Sequence, residues 1–293
     1  QRQMCIRDSV LIGGRRSIKE ISMSTFYNSE RLKYNQMNYN NDVELDNFCS
    51  QCLLVINAVG PSFKINDKIA LHALRNNCHY IDIGGYGILR DLLKPYEKSI
   101  EAQKLCFIIG VGWMPGISGV FSKTIIETHL NSPENTNFNI YYGAVDNWSY
   151  SSTYDLAASS MGKTRSYVYS HGKEIQVSPF RYTHHKFFPF IGHKKICMPS
   201  FDEQLTQLAT SLKQIRKIST FIMLNDYISM GKFMFIKIFY KHNLNKATLM
   251  LQDDYQRLVK KENKWGSVIC QVSKLEPCLL YTSPSPRDRS VSR

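Results

Sequence analysis

VLIGGRRSIKE, Val10 to Glu20, is the stretch whose reading decides the fold. A short apolar run ends on two glycines, two arginines follow, and a helical pattern begins. In one reading Gly13 and Gly14 open a G-x-G-x-x-G turn, whose glycines let the backbone approach a pyrophosphate and let the helix pack on its strand. The later glycine positions then fall on Arg16 and Lys19, where bulky cations break that geometry. In the other reading Val10 to Ile12 is the second strand of the same kind of sheet, and the glycine-rich turn lies earlier.

Spacing favours the second reading. Between a first and a fourth strand such a fold needs three helices and two strands, and the interval from Gly14 to Leu53 holds only part of that. With Val10–Ile12 as the second strand, SIKEISMSTFYNSERL becomes its helix, YNQMNYN a short third strand, DVELDNFCSQC a helix, and LLVINAVGP the fourth strand, stopped by Gly60 and Pro61. Next, Ile65, Ile69 and Ala73 recur every four residues, with Asn76 and Asn77 as a left-handed stop. HYIDIGG supplies a buried strand over Tyr80 to Ile83, a helix is predicted through Leu92 to Ala102, and LCFIIGVG is a further strand. Strands alternating with helices predict a parallel sheet with crossover helices.

The arginines then acquire a chemical reason. The end of the second strand is where an acidic residue would bond a ribose hydroxyl of NAD, and where arginine accommodates the 2′-phosphate of NADP. A guanidinium is a planar fork of donors matched to phosphate oxygens. Arg15 is the first candidate and Arg16 the second, although two solvated loop arginines would read the same.

Beyond Gly116 the periodicity changes. In FNIYYGAV, Phe138, Ile140, Tyr142 and Ala144 share one face, as in a half-solvated strand. YVYSHGKEIQV reads as a hairpin turning at His171 and Gly172, so antiparallel sheet is expected. Ser200 and Glu203 form a capping box ahead of a stripe of Leu205, Leu208, Ala209 and Leu212. Asp226 to Lys261 is predicted as two helices and WGSVICQV as a strand. The fold class is therefore α/β: a Rossmann-type parallel sheet without its first strand and glycine-rich turn, followed by a second α+β domain with antiparallel sheet.

Composition excludes several functions. The 293 residues carry a formal charge of +13, but the basic residues are dispersed rather than blocked, so no nucleic acid partner is expected. Eight cysteines at irregular spacing give one CxxC, Cys49 and Cys52, without a second pair, which predicts reduced core thiols and no metal. The most apolar stretch, Phe221 to Tyr240, is interrupted by Asp226, Lys232 and Lys237 and falls short of the roughly 20 apolar residues that span a bilayer. It reads as a core helix, with a basic amphipathic surface segment as the alternative. A membrane partner is not expected, and the chain reads as cytoplasmic. QRQMCIRDS, residues 1–9, and CLLYTSPSPRDRSVSR, residues 278–293, resemble translated sequencing-adapter sequence, and the tail is expected to be disordered.

VINAVGP, HYIDIGGY and GVGWMPGISGVFSK, in this order and spacing, resemble the saccharopine dehydrogenase-like reductases. The likeness is strong from Val10 to about Lys123 and thinner to about Pro277. It implies a partial NADP-binding Rossmann domain over residues 10–116 and an α+β domain for substrate and dimer contacts over 117–277. It also implies that segments of the natural protein are absent at both ends, that this piece is inactive by itself, and that the full-length protein is a homodimer acting on a small molecule. The implied reaction is NADP-dependent hydride transfer to or from an imine or secondary amine derived from an amino acid. A non-catalytic nucleotide-binding protein on the same scaffold and a membrane-surface-associated reductase are the alternatives.

The candidate residues follow. Asn57, Gly60 and Pro61 end the fourth strand, where the family's matching segment runs beside the ribose and nicotinamide; an ordinary strand-to-helix turn would look alike. Tyr80 and Asp82 alternate along a strand and so face the same side; with His79 they are the acid/base candidates, and a buried structural Asp is the other reading. Pro115 and Gly116 fit a rigid turn opening a helix at Ile117, whose amides could face an anion. The family often has an acidic residue just before this Pro-Gly, and Met114 stands there instead. Asp146, Trp148 and Tyr150, in DNWSYSSTYD with Asp155, have the composition of a substrate rim.

Overall fold

The computed structural model describes residues 10–22, 31–84, 87–129, 133–162, 166–274 and 279–284. They form two compact units: the first runs to Val111 except for Gly60–Lys64, which group with the second.

In chain order to Val111 the elements are β1 (Val10–Gly14), α1 (Ile18–Ser22), β2 (Leu32–Gln36), α2 (Asp42–Cys49), β3 (Leu54–Asn57), α3 (Ser62–Ile65), most of which groups with the second unit, α4 (Lys68–Arg75), β4 (His79–Asp82), α5 (Gly87–Leu93), α6 (Glu97–Ala102) and β5 (Phe107–Ile108). β1 pairs parallel with β2, and β3-β4-β5 form a separate parallel run. In a doubly wound sheet of order 3-2-1-4-5-6 these are the 3-2 pair and the 4-5-6 run, and among the described residues no strand joins β1 to β3. β1 thus pairs with β2 on one side, and among the described residues no strand lies on its other side. α2 and α4 cover one face of the β3–β5 run, burying Leu45, Cys49, Val55, Ile69, Ala73 and Tyr80 in one core. Asn77, at φ 55°, is the left-handed stop of α4. Leu54, Ile56 and Ile108 on the opposite face are exposed.

Packing explains the glycine pair. A Cβ on Gly13 would lie 2.8 Å from the Phe48 ring and 2.9 Å from Met37 Sδ, and one on Gly14 would lie 2.9 Å from the Tyr34 hydroxyl. Gly13→Ala is accordingly expected to lower stability by about 1 kcal/mol through overpacking, read as a shift in urea midpoint; an unchanged midpoint would mean that Phe48 simply turns aside.

Several elements differ from the sequence reading. The third strand is Leu32–Gln36 rather than Tyr34–Asn40, because Asn38 closes a turn onto Asn40 and Asn41, and Asn41 then caps α2. The helix expected over Leu92–Ala102 is split at Pro95 into α5, a 3-10 turn at Lys94–Tyr96, and α6. The helix after β1 is described only as far as Ser22, where Ser17 and Glu20 form a reciprocal capping box.

The second unit contains α7 (Ile117–His129), β6 (Thr136–Val145), α8 (Tyr150–Gly162), β7 (Ser166–Ser170), β8 (Lys173–Val177), α9 (Pro179–Tyr182), β9 (His184–Phe188), β10 (His193–Pro199), α10 (Glu203–Ser211), β11 (Lys217–Leu224), α11 (Tyr227–Phe239), α12 (Leu244–Val259), β12 (Trp265–Lys274) and β13 (Leu279–Pro284). The sheet runs β13-β12-β6-β11-β10-β9, with the β7–β8 hairpin attached to β11; β6 and β11 are parallel and the other pairs antiparallel. His171 and Gly172 both take positive φ, the two-residue hairpin geometry that matches strand twist.

One face of this sheet packs Phe138, Ile140, Tyr142, Ile218 and Val268 against Ile125 and Ile126 of α7 and Leu205 and Ala209 of α10. Ile196, Met198 and Leu224 meet Phe233 and Ile236 of α11 and Ala247 and Leu251 of α12. The other face gathers Tyr141, Phe188, Phe221, Met223 and Ile269, with Tyr141 stacked on Phe221 at 5.1 Å. β6 is therefore buried on both faces, not half-solvated as its alternation suggests, because it lies centrally between β12 and β11.

The cap of α10 is Asp202, whose Oδ1 accepts from the Leu205 amide at 2.7 Å. Ser200, expected in that role, instead continues strand pairing through its amide to Thr220 and accepts the Tyr142 hydroxyl at 2.9 Å. DNWSYSSTYD is not a loop throughout, since Ser149 accepts the Ser152 amide and α8 begins at Tyr150. Leu279–Pro284, within the tail expected to be disordered, is a strand beside β12. Residues 1–9 and 285–293 lie outside the described residues. No helix among the described residues is long and apolar enough to cross a membrane.

Candidate functional site

The loop after β1 is built by its neighbour. The Tyr34 hydroxyl of β2 donates to the Arg16 carbonyl at 2.7 Å, and the Gln36 amide nitrogen to the Arg15 carbonyl at 3.4 Å. Backbone is thereby fixed while both arginine side chains stay exposed. Glu20, the acidic residue nearest to them in the chain, has an oxygen on the Ser17 amide at 3.0 Å. Two cations at the carboxyl end of a parallel strand, with the adjacent carboxylate turned to a helix cap, suit an anion such as a phosphate.

The carboxyl ends of β3 and β4 are tied by one buried cluster. Strand register sets Asn57 opposite Asp82 and Val55 opposite Tyr80. Tyr80 donates its hydroxyl to Asp82 Oδ2 at 2.8 Å, and the Asn57 amide donates to the same oxygen at 2.7 Å and to the Tyr80 hydroxyl at 3.1 Å. Asn57 Oδ1 accepts the Val59 amide at 3.0 Å. Burial pushes the Tyr80 phenol far above its ordinary value, and the Asp82 carboxylate adds to the shift, so Tyr80 stays protonated and acts as a donor. Tyr80 is 0% and Asp82 3% exposed. Sequence alternation places these two together correctly. It does not foresee that Asn57 joins them.

His79 does not join the cluster. It begins β4, three residues and thus about 10 Å along the strand from Asp82, and its Nδ1 accepts the Cys106 amide at 2.9 Å. The expectation of a nearby acid/base group fails here because the strand carries the two residues to opposite ends.

In the second unit, Gly60–Lys64 seats on α8. A Cβ on Gly60 would lie 2.8 Å from Ser151 Cβ, so the close approach requires glycine. After Pro61, the Ser62 and Phe63 amides donate to the two oxygens of Asp155 at 2.9 and 3.2 Å. Lys64 Nζ lies 4.4 Å from the Tyr154 ring centre and 5.7 Å from that of Tyr150. Lys64 was not singled out in the sequence; an isolated lysine after a strand end gives no signal, and only the fold brings it to two tyrosines.

The proposed substrate rim is tied mainly to α12. Trp148 stacks on Tyr255 at 4.7 Å, and the Tyr150 hydroxyl donates to Asn245 Oδ1 at 2.8 Å. Asp146 accepts the Asn147 amide at 2.7 Å and lies 3.3 Å from Lys264 Nζ. Gly116, at φ 127°, is required by a turn so tight that a Cβ would lie 2.1 Å from the Gly112 carbonyl oxygen. Its amide donates to Gln204 Oε1 at 2.8 Å, and those of Ile117 and Ser118 bond to Gly112 and Trp113 carbonyls. The expectation that these amides face an anion is thus corrected: they are satisfied within the protein.

No family model matches the sequence, and no curated protein matches it. Solved structures do. Apo saccharopine dehydrogenase (L-Glu forming) from Saccharomyces cerevisiae superposes with a TM-score of 0.58 at 14% identity, over 90% of this chain and 75% of that one. A proposed oxidoreductase from Magnetospirillum magnetotacticum MS-1 gives 0.40 at 9% identity, over 95% and 73%. A dehydrogenase from Clostridium difficile gives 0.34 at 8% identity, over 94% and 84%. The first of these likenesses shows a shared fold: parallel Rossmann-like strands followed by a second domain built on a separate, largely antiparallel sheet.

Proposed function

We propose that this protein is an NADP-dependent oxidoreductase of the saccharopine dehydrogenase-like type, moving a hydride to or from an imine or secondary amine derived from an amino acid. The observation that carries the reading is the arginine pair fixed at the carboxyl end of β1, where a doubly wound sheet meets the adenosine end of a dinucleotide. Arg15 and Arg16 take the 2′-phosphate. The nicotinamide, when bound, would donate the hydride in reduction or accept it in oxidation. Asn57 holds the end of β3 beside the cofactor, with Gly60 and Pro61 following it. Tyr80 and Asp82, being buried, act as positioning residues that fix the adjacent end of β4. Asp146, Trp148, Tyr150 and Gly116 shape the substrate side, and the natural protein works as a homodimer.

In the full-length protein Arg15→Ala is expected to weaken NADP binding by about 2 kcal/mol, roughly thirtyfold, as for one charged hydrogen bond, and far more than it weakens NAD. Titration of both nucleotides against the full-length parent and its variant checks this. Equal losses for the two would remove the phosphate role.

A second reading, a nucleotide-binding protein without hydride transfer, is favoured by the full burial of Tyr80 and Asp82. Consumption of NADPH by the full-length protein with candidate keto-acid and amino-acid pairs separates the two, since the second reading predicts binding without turnover.

A further inference from the structure

The outer side of α11 takes no part in the sites above. Its inner side, Ser229, Phe233 and Ile236, is buried. Its outer side presents Ile228, Gly231, Phe235, Ile238 and Phe239, all exposed, with Ile238 and Phe239 each at 65%. Their spacings of three, four and seven residues make one continuous stripe. The Phe235 and Phe239 rings lie 4.5 Å apart along it, and Leu249 of α12 is exposed as well. A helix apolar on both sides belongs in a core or against an apolar medium. The expectation that this segment is simply a core helix therefore holds for one side alone.

Charge identifies the medium. Between Asp226, the cap of α11, and Asp253 and Asp254 of α12 the sequence has four lysines, Lys232, Lys237, Lys241 and Lys246, and no Asp or Glu. Lys232 pairs with Asp253 and Asp254. Lys237 lies along the helix with Nζ 5.1 Å from the Phe233 ring centre, and Lys241 and Lys246 are exposed around the turn into α12. A second copy docked on the same stripe would bring Lys241 and Lys246 toward the like charges of its own turn. An anionic lipid surface satisfies both features, taking the aromatic and aliphatic side chains into the headgroup region while lysines meet lipid charge.

We propose that the outer face of α11, with the turn into α12, docks on an anionic lipid surface. This stands apart from the nucleotide reading and does not depend on it.

Co-sedimentation of the full chain with vesicles tests the proposal. Binding is expected to vesicles of about one-third phosphatidylserine in phosphatidylcholine, to weaken with added salt, and to be lost on pure phosphatidylcholine. Ile238→Glu with Phe239→Glu should lower partitioning by about tenfold or more, since charge on the apolar face opposes insertion. Gly231→Glu provides a second variant: nothing lies within 4 Å of a Cβ at Gly231, and leaving glycine improves helix propensity, so the fold is kept while the stripe is broken. Absence of vesicle binding, equal binding to neutral vesicles, or binding unchanged in both variants would overturn the proposal. So would sedimentation velocity showing a dimer that Phe239→Glu dissociates, with no vesicle binding.

Discussion

Asp82→Ala is expected to destabilise the protein by about 3 kcal/mol, measured from the urea midpoint, because two hydrogen bonds to a carboxylate are lost at about 1.5 kcal/mol or more each. The Tyr80 hydroxyl and the Asn57 amide donate to the same Asp82 oxygen, and both lie in the buried end of the β3–β4 pair. They can still bond one another at 3.1 Å, which limits the loss. Asp82→Asn, which keeps an acceptor, should cost about 1 kcal/mol. Tyr80→Phe removes one donor alone, so a double-mutant cycle with Asp82→Ala should show a coupling of about 1 kcal/mol or more. Additive losses would mean that the cluster does not act as a unit. A fully stable Asp82→Ala that, in the full-length protein, loses only turnover would return Asp82 to the role of acid/base.

How far the sequence discloses this site depends on the range of the interactions. LLVINAVGP and HYIDIGG are legible as buried strands because short apolar runs stop at Gly and Pro, and the period of two puts Tyr80 and Asp82 on one side. The register that brings Asn57 opposite Asp82 is a property of strand pairing, which no local pattern encodes. Gly13 is misleading for the same reason: what demands glycine there is the Phe48 ring and Met37, both distant in the chain. In SFDE, Ser200 and Asp202 are both good caps; Ser200 loses because its amide is engaged by β11. α8 escapes detection because its inward positions include Thr153 and Asp155, polar residues buried at 0% and 8%, so no apolar stripe announces it.

Asp202 carries the other large expected effect, a stability that rises on mild acidification. Its Oδ1 is satisfied by the Leu205 amide, but its Oδ2 is sealed from solvent and has no hydrogen-bond partner. Burial pushes its carboxyl up to about 6, against the lowering effect of the Leu205 and Gln204 amides and with a smaller upward push from Glu203. A folded-state pKa above the unfolded one means that the native state prefers the protonated acid. The stability this group contributes is complete below its ordinary value of 3.8 and is lost as pH rises through about 6. From pH 7 down to about 4 the protein should therefore gain about 2 kcal/mol from Asp202, at 1.36 kcal/mol per unit of pKa, with the remainder appearing only below 3.8. Asp226, held low by Arg257 and by the Ser229 amide and hydroxyl despite partial burial, and Asp253, held low by Lys232, behave oppositely. Their contributions are lost only as pH falls below the ordinary carboxylate range, outside this window. Asp202→Asn retains a capping acceptor and removes the titration. Urea midpoints for the parent and Asp202→Asn, measured from pH 4 to 7.5, should differ most at neutral pH, with the variant the more stable, and converge toward pH 4. Two curves that stay parallel across that range would show that the buried oxygen is not the titrating group.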